Sequence, residues 1–267
     1  MKIKIVFSDI DGTFLTNDHQ VTKQTEEAVK SLLKLKIPFV LVSARMPEAI
    51  YPITNKIGVK IPIISYSGGL VLTEDEDILY NKTIDAEKAE QVLKAIDKNW
   101  SDIAVNYYAG RRWFVRDVND WRVKREMDIT SAVAENANFD ELIKNQVMPN
   151  KILVMCEPPT CEEMEVKLSK MFPELNVVRS SSILLEIMDK TVSKATGIEV
   201  MLKHFNITSE EALAFGDNYN DVEMLKYVGC GVAMGNAPDP IKEMAHVVTD
   251  SNEDSGIFTY LTKNNII

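Results

Sequence analysis

Cysteine is scarce in this sequence: Cys156, Cys161 and Cys230 are an odd three in 267 residues and form no C-x-x-C pair. That excludes a disulfide-framed secreted scaffold, and the thiols read as buried or incidental groups of a reducing compartment. The three histidines, His19, His204 and His246, are too scattered to suggest a zinc site. No segment approaches about 18 uninterrupted apolar residues, so no membrane span is expected. The opening apolar run to Phe7 meets Ser8-Asp9 within one strand length, too short for a secretory leader, and a cytoplasmic protein is the expectation. Basic residues are outnumbered, 30 Lys+Arg against 40 Asp+Glu, for a net charge of −10. With a pI near 5.0, that argues against a nucleic-acid partner. No internal repeat or low-complexity tract is visible.

What is present is ordinary globular material, 45% hydrophobic and 26% charged, long enough for two domains or one large one. Short apolar runs end abruptly in polar or glycine residues: Ile3–Phe7, Pro38–Val42, Ile61–Ile64, Ala212–Phe215, Gly231–Met234 and Ala245–Val248. Runs of this kind suit strands buried on both faces. Helical patterns lie between them. Ala28, Val29, Leu32, Leu33 and Leu35 follow a candidate N-cap at Thr22, and Ile198, Met201, Leu202 and Phe205 fall at i, i+3, i+4 and i+7. Strand–helix alternation at both ends of the chain predicts a doubly wound, mostly parallel α/β sheet.

The middle lacks that rhythm. Asp85 is placed to cap a helix with the stripe Ala89, Val92, Leu93, Ile96 and Trp100. Hairpin-like stretches follow at Ile103–Tyr108 and Trp113–Val115, then a strand at Lys151–Cys156. Thr160-Cys161-Glu162-Glu163 reads as a capping box for a helix carrying Met164, Leu168, Met171 and Phe172. Val177–Arg179 and Ile183–Met188 close the segment as a strand pair. The expected organisation is a discontinuous core of residues 1–82 and 188–267 with an α+β module, 83–187, inserted into it.

Four features fall at predicted strand ends or at a helix start. Asp9-Ile10-Asp11-Gly12-Thr13 follows the first strand, with two carboxylates able to address one site and a glycine permitting a sharp exit. Its glycine spacing excludes an EF-hand. Ser43-Ala44-Arg45 follows the second strand and offers a hydroxyl and backbone N–H groups to an oxyanion. Ser193-Lys194 opens the helix that carries Ile198, and a lysine there runs against the macrodipole unless it faces an anion. Gly216-Asp217-Asn218-Tyr219-Asn220-Asp221 is a carboxylate- and amide-rich loop whose hard oxygen donors suit Mg²⁺. Each alone is also explicable as a turn, a cap or a surface residue. Together, in this order, they map to the carboxyl edge of an open α/β sheet, where ligands bind.

This combination resembles the haloacid dehalogenase-like superfamily of aspartate-nucleophile phosphatases, and the inserted module resembles the α+β cap of its Cof-type branch. Gly235-Asn236-Ala237 also matches that branch. The resemblance implies that Asp9 is the nucleophile and a Mg²⁺ ligand. It implies that Asp11 is the general acid/base, giving its main-chain carbonyl to the metal, and that Asp217, supported by Asp221, completes the metal site. Ser43, the Ala44 backbone, Lys194, Asn220 and the Ile10 main chain fall where the family grips phosphate. Two departures are visible: Ser67-Gly68-Gly69 stands where the branch often has Asn-Gly, and Ala195 follows the lysine where glycine is common.

The implied activity is Mg²⁺-dependent hydrolysis of small phosphorylated metabolites, sugar or related phosphate monoesters, through an aspartyl phosphate. A phosphomutase of hexose phosphates is the enzymatic alternative. A phospho-acceptor signalling module is the non-enzymatic one, although receiver domains lack an insertion of this size.

Overall fold

The computed structural model describes residues 2–267, which divide into two compact units. The first holds the described residues up to Arg45, Ile50–Tyr80 and Ser193–Ile267; the second holds Met46–Ala49 and Asn81–Val192. In chain order the strands are β1 (Ile5–Asp9), β2 (Phe39–Val42), β3 (Ile63–Ser65), β4 (Leu70–Leu72) and β5 (Ile78–Asn81). Then come β6 (Ala104–Ala109), β7 (Arg112–Val115), β8 (Ala134–Asn136), β9 (Lys151–Met155), β10 (Leu175–Ser181) and β11 (Leu184–Asp189). The chain ends with β12 (Ala212–Gly216), β13 (Cys230–Ala233) and β14 (Val247–Val248).

The first sheet runs β14-β13-β12-β1-β2-β3-β4-β5, parallel from β14 through β3 and antiparallel between β3 and β4. β1, β2 and β12 are buried along their whole length, which is why their sequences are continuous apolar runs rather than alternating ones. Ile5, Phe7, Val40, Val42, Ala212 and Ala214 form one apolar cluster with Ile198, Met201 and Leu202 of the helix Lys194–Phe205. Each large apolar side chain so buried contributes about 1.5–3 kcal/mol of transfer free energy. The helix Lys23–Lys34 begins at the expected N-cap, Thr22, whose hydroxyl accepts the Thr25 N–H. It stops one residue short of the predicted stripe, and Leu35 is 56% exposed.

The second sheet runs β10-β11-β9-β6-β7-β8, antiparallel except for the parallel β7–β8 pair. Val105, Tyr107, Phe114, Ile152, Val154, Leu185 and Ile187 pack one face of it against the helices Ala86–Asn99, Phe139–Lys144 and Pro158–Met171. The intervening residues of β6, β7, β9 and β11 point to the other face. They include buried Asn106, whose amide oxygen accepts the Trp113 indole N–H at 3.0 Å.

The architecture is therefore α/β, with a doubly wound, mostly parallel sheet in one unit and an α+β arrangement in the other. Three local expectations need correction. The helix after β9 starts at Pro158, with Glu157 and not Thr160 as N-cap: two prolines at N1 and N2 have the φ a first turn needs and no N–H to lose. Met171 is 51% exposed, since the helix ends there and, of the predicted stripe, Met164, Leu168 and Phe172 reach the core. Cys156 and Cys161 are joined in a disulfide, because the end of β9 and the first turn of the following helix bring their Cα atoms to 5.6 Å. A search for C-x-x-C spacing does not detect such a strand-to-helix pair.

Candidate active site

β1, β2 and β12 lie side by side, with Asp9 opposite Val42 and Ser8 opposite Phe215, so their carboxyl ends open at one place. Asp9 is the last residue of β1, Ser43 follows β2, and Asp217 follows β12. Lys194 reaches the same place from the other direction, as the first residue of the helix capped by Ser193. The start of that helix presses on the turn Tyr66–Gly68. A Cβ on Gly197 would stand 2.4 Å from Ile64 Cγ2 and 2.9 Å from Gly68 Cα. Glycine at position 197 permits this approach and so sets where Lys194 begins.

Carboxylate oxygens of Asp9, Asp217 and Asp221 lie within 4.8 Å of one another. The Lys194 ammonium is buried among them, 2.5 Å from Asp9 Oδ1 and 2.5 Å from Asp221 Oδ1. The other Asp221 oxygen accepts the N–H groups of Asp217 at 2.9 Å and Asn218 at 3.0 Å, so Asp221 both folds the loop and anchors the lysine. Thr13 donates its hydroxyl to Asp217 Oδ1 at 2.7 Å. Gly12 has φ +82°, and a Cβ there would fall 2.4 Å from Asp217 Oδ2. The turn after Asp9 therefore needs glycine for its conformation and for the space the carboxylate occupies.

Three carboxylates face one ammonium, and the imbalance governs the electrostatics. Burial pushes the Asp9 carboxyl well above the usual range, Lys194 pulls it back, and Asp221 and Asp217 raise it again. Burial likewise raises Asp217, to about 6, against the Thr13 hydrogen bond that favours its ionised form. Burial alone would depress Lys194, but Asp221 and Asp9 outweigh it and hold the ammonium charged. Ionising all three acids leaves a surplus of negative charge in a desolvated space. That surplus and the all-oxygen donor set fit a hard divalent cation bound by Asp9, Asp217 and Asp221.

The remaining predicted residues stand as follows. The Asp11 side chain does not join the cluster. Arg45 clamps it through Nε to Oδ2 at 2.8 Å and Nη2 to Oδ1 at 2.6 Å, and His19 Nδ1 stands 3.8 Å from Oδ1. The Ile10 carbonyl accepts the N–H groups of Phe14 and Leu15, closing the turn around Asp11. Ser43 is buried, and its hydroxyl accepts the Arg45 N–H at 3.2 Å across Ala44. Asn220 is exposed on the turn Tyr219–Asp221, and no side-chain hydrogen bond of it is seen among the described residues.

The sequence motifs contain Thr13, Arg45 and Asn236 but assign them no role, and Asn252 lies outside every motif. Asn236 donates to the Gly12 carbonyl at 2.8 Å, and Asn252 donates to the Leu15 carbonyl at 2.9 Å. The Asn252 N–H in turn donates to Asn236 Oδ1 at 3.1 Å. These contacts tie the turn after β1 to chain more than 200 residues away.

Residues 6–261 match the haloacid dehalogenase-like hydrolases. A Haemophilus influenzae protein named "Putative phosphatase" is 35% identical over 257 residues, 96% of each chain. Phosphatase YwpJ of Bacillus subtilis is 26% identical over 282 residues, covering 96% of this chain and 97% of that one. A solved haloacid dehalogenase-like hydrolase from Bacteroides thetaiotaomicron superposes with a TM-score of 0.88 at 25% identity, over 98% of this chain and 99% of that chain. A solved subclass IIB sugar phosphatase shares the fold with a TM-score of 0.82 at 24% identity, over 99% of this chain and all of that one. The chain belongs to the haloacid dehalogenase-like hydrolases, in their Cof-type phosphatase branch. It is a phosphatase-type enzyme, and no helix among its described residues is long and apolar enough to cross a membrane.

Proposed function

We propose that this enzyme is a Mg²⁺-dependent, cytoplasmic phosphatase of small phosphorylated metabolites, sugar or related phosphate monoesters, and that it works through an aspartyl phosphate on Asp9. The observation that carries this reading is the buried meeting of Asp9, Asp217, Asp221 and Lys194 at the carboxyl ends of β1 and β12. Asp9 Oδ1 is held by Lys194, while its other oxygen has no hydrogen-bond partner among the described residues, as an attacking atom requires. Asp9, Asp217 and Asp221 would hold Mg²⁺, which would supply positive charge that keeps the carboxylates ionised and offsets the charge of the phosphoryl oxygens.

The residues then divide the work. An Asp9 oxygen attacks phosphorus, the bond from phosphorus to the ester oxygen breaks, and the leaving alkoxide takes a proton from Asp11. Water next attacks the phosphoryl group, gives a proton to Asp11, and frees inorganic phosphate and the Asp9 carboxylate. Arg45 holds both Asp11 oxygens in this structure, a clamp that favours the carboxylate and must release one oxygen before Asp11 carries the proton. Lys194, Ser43, Asn220 and the backbone at Ile10 and Ala44 are assigned to the phosphate oxygens. The inserted residues 83–187 are assigned the cap role, admitting substrate and excluding water.

The test is a phosphate-release screen over phosphorylated metabolites, with Mg²⁺ and with chelator. Release from a subset of monoesters that stops on chelation is expected, and Asp9→Asn is expected to abolish it. Full activity in Asp9→Asn, metal-indifferent turnover, or isomerised hexose phosphate in place of free phosphate would each overturn the reading.

A further inference from the structure

The second unit contains a cavity of about 330 Å³ that the phosphatase reading does not use. One wall is the helix Trp121–Thr130, which presents Trp121, Arg125 and Ile129 at i, i+4 and i+8 on a single face. Trp121 is 61% exposed and Ile129 51%, so this face leaves two large apolar groups uncovered at the opening. The facing wall is Met155 at the end of β9 and Leu184, its partner across the β11 pairing. Arg122, Glu126, Glu157, Ser181 and Ser182 are the polar residues that line the rest of the cavity. Within this unit the cavity lies at one end of the sheet. The other end is the Tyr108↔Lys151 pairing, next to Asn150, whose amide bonds Asn81 and Lys82 where the chain enters.

The charges at the rim are not equivalent. Arg122 is committed to Asp120, at 2.7 Å, and to the Asp102 carbonyl, also at 2.7 Å. Arg125 and Glu157 have no side-chain hydrogen bond or ion pair among the described residues. Besides Arg122 and Glu126, which have partners of their own, an unpaired guanidinium and an unpaired carboxylate thus border one apolar hollow. An unpaired guanidinium takes a carboxylate as a two-pronged partner, and an unpaired carboxylate takes an ammonium. The apolar walls suit a hydrocarbon or aromatic body. The volume, near the lower end of the roughly 300–1,000 Å³ typical of ligand pockets, suits one such body and not a nucleotide or an extended peptide.

We propose that this cavity binds a zwitterion with a large apolar side chain, that is, a free hydrophobic α-amino acid. Its carboxylate goes to Arg125 and the serine hydroxyls, its ammonium to Glu157, and its side chain between Trp121, Ile129, Met155 and Leu184. Such a ligand satisfies both unpaired charges and covers both exposed apolar groups. A phosphate monoester would meet the uncommitted Arg125 guanidinium together with two repelling carboxylates, Glu126 and Glu157.

The experiment is calorimetric titration of the full-length protein with L-tryptophan, L-phenylalanine and L-leucine. Indole and N-acetyl-tryptophan amide serve as uncharged comparisons. Saturable binding of at least one of the amino acids is expected, weakened about tenfold or more in Arg125→Ala and in Glu157→Gln, the loss of one charge-assisted contact. Phosphatase turnover without amino acid should be unchanged in both variants. Arg125→Lys, which keeps the charge, should bind more tightly than Arg125→Ala. No binding of any of the three amino acids at millimolar concentration overturns the proposal, as does affinity indifferent to both substitutions. Equal affinity for the uncharged analogues overturns it too, because it would make the cavity an apolar groove only.

Discussion

Replacing Lys194 by methionine removes one charge and almost no volume, so it isolates the electrostatics of the acidic cluster. The ammonium is 1% exposed and, among the described residues, is the one cation hydrogen-bonded to Asp9 and Asp221. Breaking a buried ion pair from one side leaves the other side's charge uncompensated and costs about 3–5 kcal/mol. At about 2–4 °C per kcal/mol for a unit of this size, the unfolding midpoint should fall on the order of 10 °C in chelator at pH 7.5.

The loss should depend on pH through the carboxylates. Lys194 has a folded pKa raised above its unfolded value, so its contribution is fully present below about 10.5 and constant across pH 5–9. Asp9, already raised by burial, takes up a proton more readily once the cation is gone, and the gap to wild type should narrow as pH falls toward 5. Adding Asp9→Asn to Lys194→Met should recover part of the lost stability, because it removes one of the stranded charges. Thermal unfolding followed by circular dichroism in chelator, at pH 7.5 and 5.5, for the wild type, the single variants and the double variant checks every step. A Lys194→Met protein as stable as wild type at pH 7.5, or a double variant less stable than the single one, would refute the charge-surplus account.

Three further outcomes follow from the same geometry. Gly12→Ala places a Cβ 2.4 Å from Asp217 Oδ2 at φ +82°, and should lower stability by about 1–3 kcal/mol and reduce turnover more than Gly58→Ala, whose Cβ meets nothing; equal effects of the two would contradict the close-approach argument. Ser67 sits at φ +53° beside Gly68, and Ser67→Asn should gain about 0.5–1 kcal/mol in denaturant unfolding, since asparagine tolerates that conformation better. Asp217 is raised from 3.8 to about 6, so its contribution is fully present below about pH 4 and is lost as pH rises through 6. The full shift corresponds to about 3 kcal/mol, reduced to about 1–2 kcal/mol by partial exposure, and a chelator-treated Asp217→Asn protein should show a flatter decline between pH 4 and 7 in the same melts.

How much of this was legible in the sequence depended on whether a feature was local. β1, β2 and β12 were readable because burial on both faces writes itself as an unbroken apolar run. Their ends were less so: β1 continues past Phe7 to Asp9 because Ser8 and Asp9 stay in the ladder while turning polar at the site. The helix Trp121–Thr130 escaped notice because only Val123 of its ten residues is buried, leaving no stripe to detect. β5 is an edge strand with no buried residue, and its alternation is correspondingly faint.

At the site the division is the same. The residue types of Asp9, Lys194, Asp217 and Asp221 and their places at strand and helix ends could be read in order along the chain. The contacts that give them their state could not. Nothing near Asp11 in sequence shows that Arg45, 34 residues on, would take both of its oxygens. Nothing near Gly12 shows that Asn236 and Asn252 would hold its turn from behind. Such partners are chosen by where parallel strands deliver their ends, a long-range geometry to which any one segment contributes a single side chain. This explains why an Asp/Gly turn is ambiguous when read alone. The same five residues become part of a charged cluster only when the loop after β12 delivers Asp217 and Asp221 and the helix after β11 delivers an ammonium to the same few ångströms.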